Sequence, residues 1–260
     1  MTPKYTRHGH IWIPTRRDLF RAGAAVLASP WLLRAASYTY VNHTGGGIGT
    51  TGNPVIGPMS TVGCDLLVLI LGSAVGGGAL TIYSDTYNPI GNWAFLTEQY
   101  NTERVRIAYL KNPVVGTAHS VAIHGGAIYL SAYFAGFSGS NLTAPVDQQN
   151  GAASTVTSTT IQPGSITPSV PNELIISGMA TGLNGVTPSV DASMTLIGSN
   201  QGNGSTYNTC GAAYAIQTAA AAINPTWTVA SGNNRVSVIA SFKSSSSGGR
   251  RRIITTIGEE

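Results

Sequence analysis

Asp65-Leu66-Leu67-Val68-Leu69-Ile70-Leu71 places six consecutive apolar residues behind an acid. A strand with one wet face alternates apolar and polar side chains, whereas a strand that is apolar at every position has both faces covered. The run therefore predicts a strand in the middle of a sheet, pressed by another layer, and two packed sheets follow. The same pattern returns as Glu173-Leu174-Ile175-Ile176, 108 positions later. Tyr109 is echoed by Tyr214 and Phe137 by Phe242, each 105 positions on and in the same order. An acid at a strand start, a buried strand, a tyrosine-bearing strand and a final strand ending in phenylalanine thus occur twice.

Around these anchors the sequence reads as short apolar or alternating runs separated by Gly, Pro, Asn and Ser, the pattern of strands joined by turns. Strands are expected at 38–41, 65–71, 80–83, 93–97, 105–110, 120–124 and 128–137. The second half offers 157–161, 173–179, 194–197, 212–217, 226–229 and 235–242. The segment from Val146 to Pro171 reads as a crossover between halves. Composition agrees, because 32 glycines, 13 prolines and only 9% charged residues in 260 suit a turn-rich β fold and not a helical bundle. The expected fold is all-β, a two-sheet jelly-roll-like sandwich with an internal pseudo-repeat. It spans 38–243 in halves of 38–145 and 146–243, with two tandem domains as the alternative.

The net charge of +4 suggests an anionic partner until the charges are placed. Residues 1–36 hold Lys4, Arg7, Arg16, Arg17, Arg21 and Arg34 against Asp18, and Arg250, Arg251 and Arg252 stand in the tail against Glu259 and Glu260. The body keeps five bases and seven acids, so it is weakly acidic. Nucleic-acid binding by the body is disfavoured on that ground, since phosphate neutralisation needs clustered bases.

Arg16-Arg17-Asp18-Leu19-Phe20 followed by the apolar run Ala22–Leu33 resembles a twin-arginine export signal. Arg16, Arg17, Leu19 and Phe20 carry that likeness, and residues 1–37 are expected to form a short helical leader. Twelve apolar residues interrupted by Pro30 fall short of the roughly 20 that span a membrane, so no integral membrane span is expected. Arg34 and Leu33 spoil a small-x-small cleavage site, which leaves two readings: a cleaved export signal, or an uncleaved arm that docks into an assembly.

The body resembles a loosely defined group of secreted and phage- or prophage-associated β-sandwich proteins. The likeness rests on Asp65-Leu66-Leu67, Gly91-Asn92-Trp93, Ile107-Ala108-Tyr109 and Asn172-Glu173-Leu174-Ile175, in that order. It covers residues 38–243 and implies a sandwich; the group brings no assigned catalytic residues. Paired arginines before such a body are also similar to the leaders of small virion-associated phage proteins. The resemblance implies a location on the virion surface, with a periplasmic or extracellular location as the alternative.

His119 and His124 are five apart, so on one regular strand they point to opposite sides and cannot share a metal; both read as surface or turn histidines. Glu98 and Glu103 bracket a hairpin-like turn beside Arg104 and Arg106 and read as surface ion pairs. Asp65 and Glu173, at corresponding strand starts, read as acceptors of backbone N–H groups at turns. Gly47-Ile48-Gly49-Thr50-Thr51-Gly52 has the letters of a dinucleotide fingerprint, but Asn53-Pro54 continues a loop where a helix is required. Cys64 and Cys210, one per half, read as buried free thiols, with a disulfide as the alternative.

Trp93 and Trp227 are assigned to the core, and the loop tyrosines Tyr87, Tyr100 and Tyr207 to exposed positions that contact a glycan or a protein partner. The Ser244–Gly249 stretch reads as a flexible linker before a basic tail ending at 260. The sequence thus predicts a non-enzymatic structural or attachment protein, without cofactor or metal, whose partners are other subunits of an assembly, itself included. The alternative is an exported envelope protein that binds or cleaves glycans.

Overall fold

A computed structural model describes residues 37–48, 53–74, 78–124, 129–183, 186–201 and 208–245. The leader with Arg16, Arg17, Leu19 and Phe20, the tail beyond Ser245, and Tyr207 lie outside the described residues. Within them the fold is all-β, with one 3-10 turn at Ile90–Asn92 and no helix long and apolar enough to cross a membrane.

The first half contributes β1 (Thr39–Ile48), β2 (Val55–Met59), β3 (Leu66–Ala74), β4 (Thr81–Asp85), β5 (Ala94–Phe95), β6 (Gln99–Tyr100), β7 (Glu103–Lys111), β8 (His119–His124) and β9 (Tyr129–Ser138). One antiparallel sheet runs β1-β9-β3-β7-β5, with β6 also on β7, and a smaller sheet runs β2-β8-β4. First strand pairs with last, second with next to last, third with third from last: a long hairpin rolled into two layers, the jelly-roll winding. The second half contributes β10 (Val146–Ile161), β11 (Glu173–Thr181), β12 (Ser189–Val190), β13 (Thr195–Gln201), β14 (Thr209–Gln217) and β15 (Trp227–Phe242). They form one sheet, β10-β15-β11-β14-β13, with β12 on β15.

The apolar run that decides the fold is divided between two cores. Leu66, Val68 and Ile70 enter the interior shared by the two large sheets. Leu67, Leu69 and Leu71 enter a second core beneath β2-β8-β4. β11 does the same: Leu174 and Ile176 face the shared interior, while Ile175 and Met179 join Trp227, Val229 and Ile239 in a third core. Each such side chain contributes about 1.5–3 kcal/mol by leaving water, so two-sided burial doubles what one strand supplies.

The repeat is exact in register. Leu66 lies opposite Phe137 as Leu174 lies opposite Phe242, and Val68 lies opposite Tyr109 as Ile176 lies opposite Tyr214. The halves meet about a local two-fold axis. Tyr109 packs edge-on against Phe242 at 5.5 Å between ring centroids, and the equivalent Tyr214 packs against Phe137 at 5.7 Å. Equivalents also touch each other: a Cβ on Gly178 would lie 2.5 Å from Ile70 Cγ2, and one on Gly72 would lie 3.4 Å from Ala180 Cβ. Two successive equivalent pairs in contact require β3 and β11 to run side by side along the axis, so the sheet ends coincide. At one of them, here termed the loop end, the Tyr38 hydroxyl donates to Lys243 O at 2.8 Å and Ser140 bridges Ser244.

The segment read as a crossover is corrected here: Val146–Ile161 is strand β10, which contains the strand expected at 157–161 and pairs with β15 over most of its length. Thr226–Val229 and Arg235–Phe242, read as two strands, fall within the single strand β15 apart from Thr226. The part of β10 before 157–161 escaped notice because a border strand with few core contacts carries Gln, Asn, Ser and Thr on both faces and shows no apolar alternation.

Candidate functional site

At the loop end of the first half, β4 stops at Asp85, whose carboxylate organises three loops. Its Oδ1 accepts the backbone N–H of Tyr87 at 2.8 Å and of Asn88 at 2.9 Å, the turn-forming use of an Asp side chain. Its Oδ2 accepts the Trp93 indole N–H at 2.8 Å. His119, the first residue of β8, donates from Nε2 to Oδ1 at 2.8 Å, and its Nδ1 lies 3.1 Å from Thr61 Oγ1. Thr61 in turn accepts from Gly116 N at 3.0 Å. The Asn88 amide completes the frame by exchanging bonds with Val114 O and N at 3.1 and 2.7 Å.

Both side chains of the Asp85–His119 pair are 0% exposed. Burial acts to raise the Asp85 carboxyl, but the bonds from His119, Tyr87 N–H, Trp93 and Asn88 N–H outweigh it and hold the group below the usual carboxylate range. The order Thr61, His119, Asp85 has the form of a nucleophile, base and orienting acid. Its placement excludes that use, because Thr61 is also 0% exposed and its hydroxyl is held against Gly116. The network fixes loops instead. It presents Tyr87, whose ring stands edge-on to His119 at 5.1 Å and lies over Gly116, where a Cβ would meet it at 2.3 Å. Exposed Val62, Ile90 and Val114 stand on the same loops. Lys111 Nζ donates to Thr143 O at 2.6 Å, tying them to the loop that carries exposed Leu142.

The tyrosines named from the sequence are not brought together. Tyr87 sits at the loop end, whereas Tyr100 lies at the opposite end of β7, exposed, with the Arg104 guanidinium 3.8 Å over its ring. A shallow depression of about 200 Å³ beside the neighbouring Gln99 is lined by Thr97, Gln99, Gln149, Asn150 and Gly151. A second depression, of about 360 Å³, is lined by Asp65, Ser140, Asn141, Leu142, Thr143 and Ser245.

Asp65 accepts the N–H groups of Gly139 and Ser140 at 2.8 and 3.0 Å, and Glu173 accepts that of Val170 at 3.3 Å, the turn duty expected of both. Glu173 is also fully buried, and burial pushes its carboxyl up. The neighbouring Asp147 stays below its ordinary value: burial opposes this, but Lys243 at 2.9 Å and the Ser169 N–H and hydroxyl bonds prevail.

Two expectations are corrected. His119 is a buried partner of Asp85, not a surface histidine; His124 is exposed as expected. Glu98 pairs with Arg104, but Glu103 is buried, bonded to the Thr102 hydroxyl, and its carboxyl is raised by that burial. Nothing in the 34-residue separation of Asp85 and His119 signals their contact, and only the Asp-Thr-Tyr-Asn-Pro turn composition hints at the frame. Cys64 and Cys210 are free, buried thiols, with burial raising them to about 11 and about 12. Among the described residues no group of three or more His, Cys, Asp or Glu is placed to hold a metal ion. Compared with protein-family models, curated proteins and solved structures, the chain matches none.

Proposed function

We propose that the chain is a non-enzymatic structural or attachment protein, displayed on a virion surface, that docks to other subunits through its loop end. The observation that carries this reading is the Asp85 frame. Five donors converge on one buried carboxylate to hold exposed Tyr87 and its apolar neighbours in a fixed pose. Rigid presentation lowers the ordering cost of association, and a tyrosine supplies a large contact area with few rotamers to freeze. The ionisable groups in the frame are consumed in building it, as are those of the Asp147–Lys243 pair.

Density-gradient centrifugation of particles from producing cells tests the reading. The chain is expected to co-sediment with particles, and Tyr87→Ala combined with Val114→Ser to lower bound protein about tenfold, the scale of a truncated interface anchor. A soluble periplasmic chain that never joins particles overturns it. So does hydrolysis of an ester or glycoside that vanishes in His119→Gln.

A further inference from the structure

We propose that the open border of β10 pairs antiparallel with β10 of a second copy, closing a two-fold dimer. This contact runs along the side of the sandwich, away from the Tyr87 loops, and goes beyond the docking role assigned to them. β10 ends its sheet with β15 as its one neighbour on the strand path, and at 16 residues it exceeds the border strands β1, with 10, and β13, with 7. A border strand offers a row of unpaired backbone N–H and C=O groups, and proteins that must stay single blunt it with Lys, Pro or short length. Gln148–Ile161 contains no charged residue and no proline.

The regular part is Gln149–Ser154, which pairs without a break against Ala240–Arg235 before the ladder is interrupted between Ser154 and Ser158. About a two-fold axis each residue faces the one equally far beyond the centre, so a charge near the centre lies close to its own copy; Gln148–Ile161 places none there. Centred on Ala152, the pairing puts Gln149 of one copy opposite Thr155 of the other, with small Gly151, Ala152 and Ala153 in the middle. Two exposed apolar side chains lie on or beside the strand. Val156 is 70% exposed and Tyr100 52%, and Asn101 Nδ2 donates to Ser154 O at 2.8 Å, which holds the Tyr100 turn beside the strand. Backbone groups supply affinity, uncharged side chains permit self-pairing, and the Val156 and Tyr100 rim loses water on closure.

Sedimentation equilibrium on the full chain, from about 1 to 100 μM, tests the proposal within the range where contacts of modest area dissociate. Twice the chain mass is expected. Thr155→Lys combined with Val156→Lys is expected to weaken the dimer about tenfold or more, because each copy then carries two charges into the pairing border, opposite uncharged Gln149 and Gln148. Ala153→Lys, at another exposed position, is expected to do the same, and the far-ultraviolet dichroism and unfolding midpoint of each variant to stay as in the parent. Tyr87→Ala is expected to leave the dimer intact, which separates this contact from the loop-end role. A monomer throughout, a dimer indifferent to the lysines, or an open-ended polymer overturns the proposal.

Discussion

Asp85 shows how far a single side chain can reach when it is buried and fully bonded. It joins β4, the Tyr87–Trp93 loop and β8 at one point, and through His119 and Thr61 it holds the loop at Gly116. Asp85→Ala leaves the His119 ring and the Trp93 indole without their acceptor, and breaking such a buried pair costs about 3–5 kcal/mol. Denaturant titration at neutral pH is expected to show that loss. The pH dependence follows from the direction of the shift. A carboxyl held below its unfolded value stabilises the fold above that value, and the contribution disappears as pH falls through the folded one. The gap in stability between the parent and Asp85→Ala is therefore expected to be full near pH 7 and to shrink below about pH 4, the ordinary carboxylate value. An equal gap at acid pH would mean that Asp85 acts by shape and not by charge. Glu103 and Glu173 carry the opposite sign: raised by burial, they favour the fold when protonated and cease to do so as pH rises through their folded values.

Among the elements, β3 and β11 decide the architecture, and they were the most legible part of the sequence. Continuous apolar character marks a strand buried on both sides, and the 108-residue echo reports two such strands in one molecule. What the spacing could not report is that these equivalents touch. Gly178 occupies the place that Ile70 holds in the first half, and the isoleucine fills the space that the missing side chain leaves. Gly178→Ala puts a Cβ 2.5 Å from Ile70 Cγ2, and overpacking of this kind costs about 1–3 kcal/mol. Adding Ile70→Ala, which removes the opposing Cγ2, is expected to cost less in the Gly178→Ala background than in the parent. A double-mutant cycle by thermal unfolding measures the difference, and additive losses would place the two residues out of contact. β10, apart from the expected 157–161, was illegible for the converse reason. Its side chains meet solvent on much of both faces, so no period marks it, although its backbone is paired over most of its length. The Asp85–His119 contact was hidden too, since it depends on which strand starts adjoin and not on any local pattern.

At the scale of the molecule, the two halves share an interior to which β3, β7 and β9 contribute from one side and β11, β14 and β15 from the other. Two further cores flank it, one containing Trp93 and the other Trp227. Every central strand serves two of the three, because alternate side chains of β3 enter the first and second, and those of β11 and β15 the first and third. Loss of either outer core therefore strips one face from a strand whose other face forms the shared interior. Neither half then keeps enough buried apolar surface to remain folded while the other melts. Trp93 and Trp227 supply an internal test, one in each outer core. With Trp12 and Trp31 first replaced by Phe, the further change Trp93→Phe leaves the Trp227 signal alone, and Trp227→Phe leaves that of Trp93. When both variants are corrected for their own loss of stability by circular dichroism, each fluorescence midpoint is expected to coincide with the dichroism midpoint of the same protein. A fluorescence transition that precedes the dichroism in one variant only would mean that one half opens alone, and the pseudo-two-fold interior would then be an interface between two separately folding bodies.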